Sequence, residues 1–149
     1  MNLYEEKDSA LIPDFSVLAA DGNARVGEFR MPRHSLQTPT FMPVGTRGSV
    51  RTITSQDLEE IGADIVLGNT YHLMLRPGEA LIEEFGGIHG FANWPRLILT
   101  DSGGYQVFSL EPYVDDDGVE FKSTYDGSMH RLTPEKAVEI QISLGSDIQ

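Results

Sequence analysis

The 149-residue sequence has no cysteine and no apolar run long enough to cross a bilayer. Without cysteine, these residues can form neither a disulfide nor a thiolate metal site. The first ten residues, MNLYEEKDSA, are polar and acidic and do not resemble a secretory signal. These features favour a cytoplasmic protein that does not enter a membrane. The length is sufficient for one ordinary domain core.

Basic residues are also scarce: 11 lysines and arginines stand against 23 acidic residues, for a net charge of −12. A surface of this charge repels phosphate, so we expect nucleic-acid binding to need basic surface from elsewhere. The histidines are scattered with no metal-ligand spacing, and no metal site is predicted. The acidic run from Glu111 through residues 115–117 lacks EF-hand spacing and is typical of a solvated loop.

The pattern of the chain favours an α/β fold. A DGN turn at 21–23 predicts a leading antiparallel hairpin. Short apolar runs then alternate with segments that begin at capping residues and end at glycine. The predicted strands are 40–44, 64–68 and 97–100, with a fourth beginning at 146; the predicted helices are 54–61, 77–85 and 133–144; and a second hairpin, 119–123 with 130–132, is inserted after strand three.

This order predicts the N-terminal part of a (β/α)₈ TIM barrel, with one partial barrel domain over 1–149. A complete barrel needs about 250 residues. We therefore expect a fragment that lacks the second half of the barrel. The alternative is a self-contained doubly wound sheet of about four strands, against which the inserted hairpin argues only weakly.

The chain is organised around LTDSGGYQVFSL at 99–110. A buried strand ends at Asp101, and a hydroxyl, two glycines, an aromatic ring and an amide follow. Ligands of parallel sheets bind at the carboxyl ends of the strands, and paired glycines allow close approach of the backbone. The segment predicts a pocket for a flat, hydrogen-bonding ligand such as a nucleobase.

Each candidate residue in this region also has a purely structural interpretation. Asp101 is either a general base or nucleophile, or a residue that caps the following turn. Tyr105 either stacks on a base or belongs to the core, and local composition favours the core. His72, which follows Asn69 at the end of strand two, either contacts a ligand or is a half-buried histidine.

Several long stretches of the chain resemble the tRNA-guanine transglycosylases of bacterial type. They are TPTFMPVGTRGSV at 38–50, LGNTYHLMLRPG at 67–78, GGIHGFANWPRLILTDSGGYQVFSL at 86–110 and LTPEKAVEIQ at 132–141. The resemblance implies a TIM barrel with a zinc-binding insertion, usually a homodimer. It also implies a transferase of queuosine biosynthesis that exchanges guanine at the wobble position of a tRNA anticodon loop for a 7-deazaguanine.

The resemblance also implies roles for individual residues. Asp101 takes the place of the general acid/base, within a mechanism that passes through a covalent ribosyl intermediate. The base-binding segment continues through Ser102, Gly103, Gly104 and Tyr105. The positions around the neighbouring anticodon ribose are Gln106, Asn69 and His72, and the apolar walls near the reacting sugar are Val44 and Leu67. Phe91 lies in a region similar to the family's dimer contact.

Other parts of the family's machinery should fall after Gln149: the nucleophilic aspartate, the aspartate that reads guanine, the Cys/Cys/Cys/His zinc site and the basic surface for tRNA. We therefore expect no cofactor within this chain and no base exchange by the isolated 149 residues. The incoming base, queuine or preQ1, stays open. The alternative function is an inactive truncated barrel that acts as a scaffold or binds a partner chain.

Overall fold

The computed structural model describes residues 13–149, so the polar segment 1–10 lies outside it. These residues form nine strands: β1 Asp14–Asp21, β2 Ala24–Arg30, β3 Ser35–Thr38, β4 Val44–Gly45, β5 Ile65–Gly68, β6 Leu97–Thr100, β7 Tyr113–Asp115, β8 Gly118–Lys122 and β9 Met129–Leu132. They also form six helices: α1 Ser55–Glu60, α2 Thr70–Leu75, α3 Glu79–Glu84, α4 Ile88–Ala92, α5 Gly104–Phe108 and α6 Pro134–Leu144. Over this part of the chain, no helix has the length and apolar character needed to span a membrane.

The leading sheet is antiparallel, with β1 and β2 joined by a tight turn and β3 paired to the other side of β2. Gly22 in the turn has φ of 58°, a conformation that glycine adopts without steric cost. Leu36 of β3 is buried and packs with Ile65 and Leu97 of the central sheet. The antiparallel sheet therefore covers one side of the parallel strands.

The central sheet is parallel, in the order β4, β5, β6, and Ile148 forms a parallel bridge to Leu99 beside β6. Successive side chains of a strand point to opposite faces. Val66 and Ile98 accordingly join the core formed with the helices, on the face opposite Ile65 and Leu97. The result is a mixed α/β fold with parallel strands, and within 13–149 the sheet does not close into a barrel.

The predicted strand over 40–44 is wrong for most of its length, because only Val44 and Gly45 pair with β5. Pro39 and Pro43 have no N–H to donate to a ladder. The carbonyl of Pro43 nevertheless accepts a hydrogen bond of 2.9 Å from the Leu67 N–H. Three short helices were not predicted: α2, α4 and α5.

The insertion after β6 has three antiparallel strands instead of the predicted two. The extra strand, β7, takes in part of the acidic run that was expected to be a solvated loop. Asp115 accepts hydrogen bonds from both terminal nitrogens of Arg131, at 2.9 and 3.0 Å. An exposed ion pair across the sheet therefore holds this acidic segment in place.

Asp147 connects the residues after α6 to the central sheet. Its carboxylate accepts hydrogen bonds from the Ile98 N–H at 2.8 Å, from Arg33 at 2.9 Å and from the ring of His89 at 2.9 Å. Burial opposes ionisation and is the largest single influence on this carboxyl, but the hydrogen bonds outweigh it, so the pKa of Asp147 is lowered.

We expect Asp147→Asn to lower the free energy of unfolding at pH 7 by about 2–3 kcal/mol, since hydrogen bonds to a charged, largely buried side chain are lost. A lowered folded-state pKa stabilises the native state above the ordinary carboxyl value of 3.8. The difference between wild type and variant should therefore be constant above that pH and shrink as the pH falls below it. Denaturant titrations from pH 7 to pH 3 measure it.

Asp14→Asn is the matched control. Asp14 also pairs with an arginine at 2.9 Å, but its side chain is 63% exposed against 12% for Asp147. Exposed ion pairs contribute about 0–1 kcal/mol, so this variant should unfold almost like wild type. An equal loss in both variants would contradict the role given to burial at Asp147.

Candidate functional site

Two neighbouring strands of the central sheet end side by side at the candidate site. Gly68 and Thr100 are paired at the ends of β5 and β6, and the next residues are Asn69 and Asp101. The Asn69 amide donates to Asp101 Oδ2 at 2.6 Å. The Thr70 and Gly103 N–H groups donate to Oδ1 at 2.9 and 3.1 Å. The carboxylate of Asp101 is thereby held in one orientation by donors from both strand ends.

Both interpretations of Asp101 describe part of this geometry. The bond from the Gly103 N–H is the turn-capping contact expected of aspartate. The bonds from Asn69 and Thr70 come from a segment about thirty residues earlier, and a local turn does not require them. Oδ2 accepts one of the three hydrogen bonds, so it can accept another from a ligand N–H.

Gly103 is the position in this segment where glycine is required. Its φ is 75°, and a Cβ built on it would lie 3.0 Å from the Tyr71 nitrogen and 3.2 Å from the Tyr71 Cβ. Helix α5 begins directly after it, and Ser102 Oγ accepts a hydrogen bond of 3.3 Å from the Gly104 N–H. The backbone at Gly103 therefore packs closely against α2, while its N–H makes the local turn contact with Asp101.

Tyr105 lies on α5 with its side chain 82% exposed, so the alternative that placed it in the core is wrong. Gln106, the next residue, is partly buried. Its Oε1 is buried and has no hydrogen-bond partner within the described residues. The segment therefore presents an open aromatic ring and an acceptor that a ligand donor could satisfy.

His72 lies on α2, which begins at Asn69, and its Nδ1 shares a hydrogen bond of 2.7 Å with the hydroxyl of Tyr125. Burial lowers the pKa of His72, the positive charge of Arg47 lowers it further, and the Asp101 carboxylate acts in the opposite direction. The imidazole is therefore neutral at pH 7. His72 is partly buried and belongs to the same site as Asp101.

Residues of the inserted sheet were not identified from the sequence as part of this site. The turn between β8 and β9 places Tyr125 beside His72. Arg76 lies over the Tyr125 ring, with its Cζ 4.9 Å from the ring centroid. The signal was the TYDGS turn, which the pattern identified only as a hairpin loop. Its approach to α2 depends on tertiary packing that a local pattern does not contain.

The two apolar wall candidates are register partners on adjacent strands, Val44 of β4 and Leu67 of β5. Val44 is exposed and lines a cleft of about 380 Å³ together with His72 and Tyr125. Phe91 lies apart from Asp101, edge-on to Phe85 with ring centroids 5.9 Å apart. The structure thus places Val44 beside the site and Phe91 in a neighbouring cleft, which it lines together with Arg47 and Arg76.

The resemblance implies a zinc ion, whose ligands are expected after Gln149. Within 13–149, no three histidine, aspartate or glutamate side chains converge as a metal site would require. These residues do not form the implied zinc site, and no chemical step is assigned to a metal here.

Comparison with known proteins agrees with the resemblance. The family model described as queuine tRNA-ribosyltransferase matches residues 21–149. The chain is 56% identical over 131 residues to the queuine tRNA-ribosyltransferase of Herpetosiphon aurantiacus, covering 87% of this chain and 33% of that protein. It is 58% identical over 128 residues to that of Thermoanaerobacter pseudethanolicus (85% and 34%) and 54% identical over 137 residues to that of Rhizobium meliloti (91% and 36%).

The chain thus spans about a third of the length of the curated relatives it matches, whereas the family match covers nearly all of the chain itself. The matched residues include both strand ends, Asp101 and the DSGGYQ segment that forms the site. The chain belongs to the queuine tRNA-ribosyltransferase family.

Proposed function

We propose that this chain supplies the general acid/base and part of the base pocket for tRNA base exchange, in which guanine at the wobble position is replaced by a 7-deazaguanine. The observation that carries the proposal is the carboxylate of Asp101, fixed by three hydrogen bonds at the end of β6 and followed closely by the exposed ring of Tyr105. A fixed acceptor beside an exposed aromatic ring suits a flat, hydrogen-bonding purine bound at a strand end.

The chemistry assigns Asp101 a proton-transfer role. Base exchange breaks an N-glycosidic bond through a transition state with oxocarbenium character, and a carboxylate nucleophile can hold the ribose while one base leaves and another enters. A second carboxylate moves the proton between base and protein. We assign that second role to Asp101, whose Oδ2 accepts only one hydrogen bond, and the nucleophile to residues outside this chain.

The neighbouring residues would bind the substrate. An aromatic face stacks on an unpaired base, as in recognition of single-stranded RNA loops, and the target nucleotide must first be unstacked. Tyr105 supplies that face. Ser102, Gly103 and Gly104 bring bare backbone close to the base, and Gln106 offers a buried acceptor without a partner in residues 13–149.

We further propose that the parallel sheet is the first part of a (β/α)₈ barrel in a homodimeric, zinc-containing protein. The barrel is supported by the order of strands and helices, and by β4 at the edge of its sheet, paired on one side only within the described residues. Phe41, just before that strand, is exposed, as expected of a face that further strands would cover. The dimer and the zinc follow from the resemblance alone.

We expect Tyr105→Ala to lower kcat/KM for incorporation of labelled guanine into tRNA by about 5- to 150-fold, because stacking on an aromatic side chain is worth about 1–3 kcal/mol per base. Tyr105→Phe should keep most of the activity, since the ring is retained. Thermal unfolding should not change, because the side chain is exposed. The assay uses the protein at its full natural length.

Phe108→Ala is the matched control, because Phe108 lies on the same helix and is 80% exposed. Its loss should leave guanine incorporation unchanged. If the two alanine variants were equally active, Tyr105 would not be the stacking platform.

A partner-binding scaffold is the second candidate, favoured by the same exposed edge and by Phe41. In that case the chain would form a stable complex with another chain, detected by gel filtration, and no guanine would be incorporated. Incorporation of guanine into tRNA by the full-length protein would favour the enzyme over the scaffold.

A further inference from the structure

We propose that the cleft between α2 and the β8–β9 turn binds a phosphodiester group of the RNA strand, next to the nucleotide whose base is exchanged. The cleft has a volume of about 380 Å³ and is lined by His72, Tyr125, Arg47 and Arg51 among others. The inference rests on the proposed function and deepens it by assigning a second contact with the same RNA.

The charge of the cleft is the first argument. Arg47, Arg51 and Arg76 lie in or beside it, although the chain as a whole carries a net charge of −12. Within 13–149, no acidic side chain forms an ion pair with any of these three. Most other arginines of that region do have such partners: Arg30, Arg33, Arg96 and Arg131. The positive charge of the three arginines is therefore not neutralised within 13–149 and can attract an anion that is not part of these residues.

The ring of Tyr125 positions two of these arginines without neutralising them. The Cζ atoms of Arg76 and Arg47 lie 4.9 and 6.0 Å from the ring centroid. A guanidinium group over an aromatic face is attracted to it and keeps its N–H donors for other partners. Paired N–H groups of arginine match the oxygens of a phosphate.

The position of the cleft relative to Asp101 is the second argument. His72 is three residues after Asn69, about 4.5 Å along the helix axis, and Asn69 donates its hydrogen bond to Asp101. His72 in turn is hydrogen-bonded to Tyr125. A base held at Asp101 would therefore have the neighbouring phosphate of its own strand within reach of the arginines.

An acidic protein segment, whether from a second copy or from further residues of the protein, could also neutralise the arginines. The phosphodiester is favoured because the cleft continues directly from the strand ends where the base is proposed to bind. Neutral His72 fits this occupant as well, since it can donate one hydrogen bond to a phosphate oxygen and keep its bond to Tyr125.

The test scans an anticodon stem–loop RNA in which one loop phosphate at a time is replaced by an uncharged methylphosphonate. Binding is measured with the full-length wild-type protein, with Arg76→Gln and Arg47→Gln, and with Arg25→Gln. Arg25 lies on β2 and has no ion-pair partner within 13–149, so it is a matched control. Circular dichroism checks that each variant is folded.

We expect one loop position, adjacent to the exchanged nucleotide, at which the methylphosphonate weakens wild-type binding by about ten-fold or more. Arg76→Gln and Arg47→Gln should each bind RNA with natural phosphates about ten-fold more weakly than wild type does. In these variants, the methylphosphonate at the sensitive position should weaken binding little further. The slope of log K against log salt should fall by about one in each variant. Arg25→Gln should behave like wild type.

The phosphate site would be overturned if no loop position were sensitive. It would also be overturned if the losses of affinity from the methylphosphonate and from the arginine substitution were additive. In both cases, RNA binding itself would be unaffected. A wild-type protein that binds no stem–loop at all would overturn the proposed function together with the phosphate site. Arginine variants that change the oligomeric state in gel filtration and leave RNA binding intact would assign the cleft to a protein partner. Inorganic phosphate that shifts the His72 NMR signal, with a flat scan, would assign it to free phosphate.

Discussion

Asp101→Asn is expected to reduce guanine exchange by about 10²- to 10⁴-fold, the contribution typical of a positioned general acid or base. Asparagine fills the same space but cannot take up or release the proton. It also disturbs the anchoring, because its amide NH₂ must face either the Asn69 amide or the N–H groups of Thr70 and Gly103, which are all donors. One or two buried donors then lose their acceptor, at a cost of about 1–3 kcal/mol each in stability.

The measurement combines steady-state exchange of labelled guanine with denaturant unfolding of the same variant, so that a folding defect is separated from a chemical one. Asp116→Asn is the matched control, because Asp116 is an exposed aspartate in the turn of the inserted sheet. It should leave both readings unchanged. Exchange at the wild-type rate by folded Asp101→Asn would remove Asp101 from the chemistry.

Gly103→Ala is expected to have the second largest effect, on both stability and exchange. The new methyl group would meet the Tyr71 nitrogen at 3.0 Å, in a backbone conformation with φ of 75° that L-residues rarely adopt. We expect a loss of about 2–4 kcal/mol in the free energy of unfolding. Because the Gly103 N–H also donates to Asp101, the displacement should lower exchange at least ten-fold.

Gly62→Ala separates the two causes. Gly62 has nearly the same φ, 78°, and a Cβ there would meet nothing within 4 Å. The control variant should lose only the conformational part, about 1–2 kcal/mol, and keep its exchange activity. Equal stability losses in the two variants would show that contact with Tyr71 is not what requires glycine at this position.

Helix termini were predictable because their signals are local. Thr54 caps α1 and exchanges hydrogen bonds with Asp57 in a capping box, and Thr133 caps α6. Gly145 ends α6 in the left-handed conformation. The strand ends at 68 and 100 were predictable for a similar reason, since short apolar runs there stop at polar residues.

What the local pattern could not contain is the set of contacts made across the fold. The donors to Asp101 from Asn69 and Thr70 depend on the parallel register of β5 and β6. Tyr125 reaches His72 only because the inserted sheet packs on α2. The two prolines at 39 and 43 shortened a predicted strand whose composition is otherwise typical of one.

Net charge was the least informative quantity for the site. It predicted a surface that repels phosphate, yet the arginines near Tyr125 form a local positive cluster. Local potential depends on where charges lie and on which of them are paired, and neither can be read from a sum over the sequence. Part of the acidic excess is paired elsewhere, as Asp115 is with Arg131.

The central claim is that Asp101 and Tyr105 hold the purine while its bond to ribose is exchanged. A crystal structure of the full-length protein with a 7-deazaguanine bound tests this most directly. We expect the base to lie against the Tyr105 ring, with an N–H of the base within about 3.2 Å of Asp101 Oδ2. A base bound away from the end of β6, with Asp101 contacting only Asn69, Thr70 and Gly103, would contradict it.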